Sequence, residues 1–97
     1  MENENLQDRF KRFAVAVIMF AQKLPDRPEY WTVRRQVIDS GTSAAANYRA
    51  AKRGKSTADF INKLKITEEE LDETMFWLEL IVGVSEEWRS EIAPIWK

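Results

Sequence analysis

Val37-Ile-Asp-Ser-Gly-Thr-Ser-Ala-Ala-Ala-Asn-Tyr48, followed by the basic turn Lys52-Arg-Gly-Lys-Ser-Thr57 and the amphipathic run from Ala58 to Val82, decides how this chain folds. In the last of these pieces Leu64, Leu71 and Leu78 recur at every seventh position, with Ile61, Met75 and Val82 in the alternate slot. That repeat predicts a helix packed along a coiled-coil-like seam. The preceding stretch offers Val37, Gly41, Ala44, Tyr48 and Ala51 at alternating steps of four and three. Residues this small let two helix backbones approach closely, so the expectation is a helical hairpin with Leu and Ile knobs in Ala and Gly holes. Gly41 lowers helix propensity by about 1 kcal/mol relative to alanine, which makes sense where another helix crosses.

Outward from this hairpin, Gly54 is placed as a left-handed cap on the second helix, and Ser56 with Asp59 forms a capping-box signature for the third. Towards the N-terminus, Asn5 with Asp8 caps a first helix whose Leu6, Phe10, Phe13, Val17, Phe20 and Leu24 step by four and three. Val15, Ile18 and Met19 widen its apolar arc, predicting cover on more than one side. Pro25 ends it, and Asp26, Pro28 and Glu29 start the second helix after a short connection. Short connections imply antiparallel neighbours. Towards the C-terminus, Ser85-Glu86-Glu87 reads as a cap with an acidic first turn, and Pro94 interrupts the helix they would open. The sequence therefore predicts an all-α, antiparallel up-and-down four-helix bundle in one domain. Its helices run over about residues 6–24, 28–53, 57–83 and 86–97, the fourth short or truncated.

The chain has 97 residues, 44% hydrophobic and 32% charged, with neither cysteine nor histidine. Disulfides, zinc-finger sites, thiol nucleophiles and imidazole acid–base chemistry are thereby excluded, and the composition fits a reducing cytoplasm. A chain of this length buries about two thirds of its unfolded surface at most, so association would help it. Arg9, Lys11 and Arg12 before the apolar run Phe13 to Ala21 outline a signal peptide, but acids lie upstream and no cleavage site comes after it. The run is too short to span a bilayer, and a buried helix without membrane contact is expected.

The net charge of −1 conceals a division. Residues 34–65 hold eight cations against two acids, whereas residues 66–97 hold nine acids against two cations. Arg49, Lys52, Arg53 and Lys55 gather at the turn between the second and third helices and are the candidate nucleic-acid-binding residues. A solvated loop complementing the helix dipole explains the same cluster. Phe76, Trp77, Leu80 and Val84 leave the end of the third helix apolar nearly all round, which requires cover by the fourth helix or by another subunit; they are the candidate oligomer interface. Glu68, Glu69, Asp72 and Glu73 lack the histidine of a carboxylate di-metal bundle and the glycine-containing loop of a calcium site, so a solvated acidic face is expected and no metal or cofactor. Asn47 and Tyr48 read as packing residues. No phosphate loop, nucleophile elbow or catalytic carboxylate pair can be assigned, so no catalytic residue is named and the expectation is a non-enzyme.

Ser40-Gly-Thr-Ser-Ala-Ala-Ala-Asn-Tyr-Arg-Ala-Ala51, Ser56-Thr-Ala-Asp-Phe-Ile-Asn-Lys-Leu-Lys-Ile66 and Glu70-Leu-Asp-Glu-Thr-Met-Phe-Trp-Leu-Glu-Leu80 resemble the "four helix bundle protein" family. It is also called the 23S rRNA intervening sequence protein family, some members being encoded within insertions in large-subunit ribosomal RNA genes. The resemblance runs from about Phe13 to Gly83 and implies an antiparallel four-helix bundle that assembles into a homopentamer. A related branch, the accessory protein of diversity-generating retroelements, implies binding to nucleic acid and a reverse transcriptase. In a pentamer the basic turns would form a ring at one pole. Two departures stand against the family pattern: the fourth helix is short after Pro94, as though the chain were truncated, and the isoelectric point is near 5.5 where that branch is strongly basic. The expected function is thus a homo-oligomeric scaffold or binding protein whose partner is nucleic acid or a nucleic-acid-associated protein. The alternative is a structural or protein-interaction oligomer without nucleic acid.

Overall fold

Asn5 and Ser56 begin two of the three long helices as their sequences predict. In the computed structural model, which describes residues 5–96, the Asp8 amide donates to Asn5 Oδ1 (2.8 Å) and the Asp59 amide to Ser56 Oγ (3.1 Å). Each side chain takes up one of the amides that a helix start leaves without an intrahelical partner. Helix α1 spans Leu6–Ala21, α2 Pro28–Ala51 and α3 Thr57–Val84. Helix α1 stops before Pro25: the amides of Lys23 and Leu24 turn to the carbonyls of Phe20 and Ala21, a tightened 3-10 exit. Asp26 does not cap α2. Arg27 holds the cap position without a side-chain bond, Pro28 supplies the pre-set first turn, and Asp26 instead accepts the Trp31 indole N–H (2.8 Å). Arg34 reaches back from α2 to the carbonyls of Leu24 (3.0 Å) and Pro25 (2.7 Å), tying the α1–α2 connection to the second helix.

Helix α2 packs along both α1 and α3, which scarcely touch each other. Its small residues therefore serve two neighbours rather than one. Ser40 meets α3, where Thr74 Oγ1 donates to Ser40 Oγ (2.8 Å). Gly41 meets α1: a Cβ there would lie 3.1 Å from Val17 Cγ1. The close approach predicted at Gly41 is present, but the crossing helix is α1.

The seam of α3 also differs in its alternate slot. Thr67, Thr74, Leu78 and Ile81 are buried, whereas Ile61 and Met75 are 48% and 44% exposed. The threonines fit because each hydroxyl lies within hydrogen-bond reach of a carbonyl one turn back: Thr67 donates to Lys63 (3.0 Å), and the single Thr74 proton is shared between the Glu70 carbonyl and Ser40 Oγ, each 2.8 Å away, so a small polar side chain can face a small-residue helix without losing its hydrogen bond. On α1, Val15 and Met19 are exposed, so that helix is covered on a single side.

Gly54 does not adopt a left-handed conformation; no described glycine has positive φ. Helix α2 unwinds through 3-10 bonds from Arg53 to Ala50 and from Gly54 to Ala51, and glycine is needed because a Cβ would meet the Ala51 carbonyl, Asp59 Oδ2 and the Phe60 amide at 3.1–3.2 Å. The last segment is not one helix. It is a 3-10 turn over Glu86–Trp88, a single α turn, α4, over Arg89–Ile92, and a second 3-10 turn over Ala93–Trp96; Lys97 and the Trp96 side chain lie outside the described residues. The Ser85 side chain caps no backbone amide; its hydroxyl donates to Glu87 instead (2.8 Å). Trp88, Ile92 and Ile95 nonetheless close one end of the core, which also contains Val17, Phe20, Leu24, Tyr30, Val37, Leu78 and Ile81. Trp88 packs edge-on to Phe20 and Tyr30 and donates its indole N–H to the Tyr30 hydroxyl (3.1 Å).

Candidate functional site

Three surfaces stand out. The first is the α2–α3 turn. Arg49, Lys52, Arg53 and Lys55 are all exposed there, and among the described residues none of the four forms an ion pair. Their charges cluster around the last turn of α2, where the helix dipole is negative. The one acid at the base of the turn, Asp59, accepts the Lys55 amide at 3.4 Å. Four cations on so few residues thus face water together.

The second surface is the outer side of α3. Phe76, Leu80 and Val84 are 50%, 40% and 47% exposed, and the last segment of the chain does not cover them. Spaced four apart, they form a continuous apolar stripe. Trp77 differs from its three companions: it is half-buried, packs against the core, stands edge-on to Phe76 (ring centroids 5.0 Å apart) and donates its indole N–H to Glu73 (3.3 Å).

Sequence reading missed the third surface, a groove of about 340 Å³ between α1 and α3. Phe10, Phe13 and Ala16 line it on α1, Leu71 and Met75 on α3, with Arg9 and Arg12 at the rim and Pro94 and Ile95 at its end. Past Ala16, Pro94 and Ile95 it runs into a second depression bounded by Met19, Lys23 and Glu91. Lys23 and Glu91 form an ion pair, so an acid of the last segment already sits on the basic edge of α1. No stretch of sequence signals it, since Met75 reads as a seam residue and only the fold leaves it 44% exposed.

Among the described residues no three carboxylates gather as a metal site would require. Glu70 turns inward to accept the Ser43 hydroxyl (2.9 Å), while Asn47 donates to the Ser43 carbonyl (2.9 Å) and Tyr48 stacks on Phe10 at 4.9 Å. Within the described residues no helix is long and apolar enough to cross a membrane.

The model of the family described as "23S rRNA-intervening sequence protein" matches residues 2–85. A crystal structure of a protein of unknown function from the S23 ribosomal protein family of Bacteroides thetaiotaomicron superimposes with a TM-score of 0.85 at 35% identity, over 94% of this chain and 84% of that one. No curated protein matches the chain.

Proposed function

This chain belongs to the 23S rRNA-intervening sequence protein family, and from that premise we propose that it is a non-enzymatic, homo-oligomeric helical scaffold of the cytoplasm that holds nucleic acid at its basic turns. The bundle runs up and down with antiparallel neighbours, a reading supported by Phe10 against Tyr48 at one end of the α1–α2 pair and Arg34 against Leu24 at the other. Assembly proceeds through the side of α3 that carries Phe76, Trp77, Leu80 and Val84, and the resemblance to the family favours a pentamer. In such a ring each subunit places Arg49, Lys52, Arg53 and Lys55 at one pole. The observation that carries the nucleic-acid reading is the exposure of those four cations without ion pairs among the described residues. Each phosphate they neutralise releases counterions and steepens the fall of affinity with salt. No cofactor or metal is required.

The second reading, a structural oligomer that touches no nucleic acid, is favoured by the nine acids against two cations of residues 66–97. Fluorescence anisotropy of labelled RNA and DNA across a salt series separates the two. Binding that weakens with salt, and weakens further in Arg53→Glu/Lys55→Glu, supports the nucleic-acid scaffold. Absence of binding at low salt removes it in favour of the second reading.

A further inference from the structure

Phe60 departs from the pattern of its own helix. It holds the heptad slot of Thr67, Thr74 and Ile81, all buried on the seam of α3, yet it is 38% exposed. The cause is the end of α2. Thr74 lies against Ser40 and Glu70 against Ser43, so each step back along α3 meets a residue further along α2, and by Phe60 the second helix has already ended at Ala51. The turn itself stands there instead: a Cβ on Gly54 would be 3.2 Å from the Phe60 amide nitrogen. Gly54 is flanked by Arg53 and Lys55, Arg49 and Lys52 come just before them, and Lys63 follows Phe60 one turn later on α3. The acid at this place, Asp59, is half-buried and turned to the Lys55 amide. The basic turn therefore carries a partly exposed aromatic residue among its cations.

We propose that this turn takes single-stranded nucleic acid in preference to duplex, with an unpaired base stacked on the Phe60 ring and the neighbouring phosphates held by Arg53 and Lys55. This rests on the nucleic-acid reading of the basic turn and names the form of its ligand. Charge alone does not discriminate, because cations attract the phosphates of a strand and of a duplex through the same salt-dependent term. An aromatic ring does. The bases of a duplex are stacked on one another and offer a protein side chain no free face, whereas a base in a single strand can lay its face on a ring, and every base has such a face. The preference is thus for strandedness and not for sequence.

Fluorescence anisotropy on the full chain tests this with a short labelled strand of mixed sequence and with its duplex, each made as RNA and as DNA. At low salt the strand is expected to bind about tenfold more tightly than the duplex, and the tighter of the two sugars identifies the source. Phe60→Leu keeps the apolar bulk and removes the ring. It is expected to lose about tenfold on the strand while the duplex affinity and the salt slope stay where they were, and Phe60→Tyr is expected to restore the strand. Equal binding of strand and duplex by the parent, or a Phe60→Leu protein weakened on both alike, overturns the stacking and leaves the nucleic-acid reading standing. Binding of neither form removes that reading and this inference with it. Circular dichroism checks that Phe60→Leu folds. Photocrosslinking of the parent to a strand carrying 5-iodouracil needs no variant: mass spectrometry is expected to place the crosslink on Phe60, and crosslinks at other residues alone overturn the proposal.

Discussion

Thr74 Oγ1 donates to Ser40 Oγ across 2.8 Å between α3 and α2, with both residues sealed from solvent. Ser40 in turn reaches the Val37 carbonyl at 3.4 Å. Two hydroxyls in an apolar interface stabilise it only while both are bonded, since a buried polar group without a partner costs about 1–3 kcal/mol. They also fix the sliding register of the two helices, because no other position of α3 would bring a hydroxyl opposite Ser40 at this distance without moving Leu78 and Ile81.

Thr74→Val is therefore expected to destabilise the fold by about 1 kcal/mol, and adding Ser40→Ala to restore part of that loss, because replacing both partners leaves nothing unsatisfied. Urea denaturation of the two singles and the double measures the coupling. Strictly additive losses would show that the two hydroxyls do not interact.

The glycines give opposite expectations from the same substitution. At Gly41 an added methyl meets Val17 at 3.1–3.3 Å, and Val17 is fully buried and β-branched, so it cannot rotate away. Overpacking of about 1–3 kcal/mol outweighs the gain of about 1 kcal/mol in helix propensity, and Gly41→Ala destabilises. Gly83 lies in the last turn of α3 with nothing within 4 Å of its would-be Cβ. Gly83→Ala stabilises by about 0.5–1 kcal/mol. Thermal melts of the two variants should move in opposite directions, and Gly41→Ala in a Val17→Ala background should no longer destabilise.

How much of this was legible in the sequence depended on which property carried each feature. Local hydrogen-bond chemistry was legible: Asn5 and Ser56 have short polar side chains before amphipathic runs, and they cap. The apolar positions Val17, Phe20, Leu24, Val37 and Leu78 were legible as core because their period matches the helix. The threonine half of the α3 seam was not, since hydropathy ranks Met75 above Thr74 and knows nothing of the Ser40 hydroxyl opposite. Nor was the division of α2 between two neighbours, because Ser40 and Gly41 are adjacent in sequence and only their partners distinguish them. Of the candidate sites, the basic turn is legible as composition, and the exposed residues of the stripe as surplus apolar surface. The groove is a property of two helices that fail to meet, which no single stretch encodes.

Trp88 anchors the last segment, and its removal tests how far the core depends on that segment. It fills the space between Phe20 and Tyr30 and gives its indole N–H to the Tyr30 hydroxyl. Trp88→Phe keeps most of the apolar contact but leaves the Tyr30 hydroxyl without its donor, for an expected loss of about 1 kcal/mol. Trp88→Ala removes the packing as well and is expected to cost about 3–5 kcal/mol. Chemical denaturation gives both numbers, and hydrogen exchange should show the amides of residues 86–96 losing protection first. Equal losses for the two variants would mean that the indole hydrogen bond, not the packing, holds the segment.

One exposed pair in that segment bears on pH. Arg89 donates to Glu86 through Nε (3.0 Å) and Nη2 (2.9 Å), a bidentate contact. That hydrogen bonding, and next the charge of the guanidinium, hold the Glu86 carboxyl below its ordinary range. A carboxyl whose folded value is depressed contributes stability that is present above its unfolded value and lost as pH falls through the folded one. The pair lies wholly in solvent, so the contribution is small and screened by salt. Carbon-detected NMR titration should find Glu86 titrating at lower pH than in Arg89→Gln, with the difference shrinking as salt is raised. Identical titrations in the two proteins would place the guanidinium away from the carboxylate in solution.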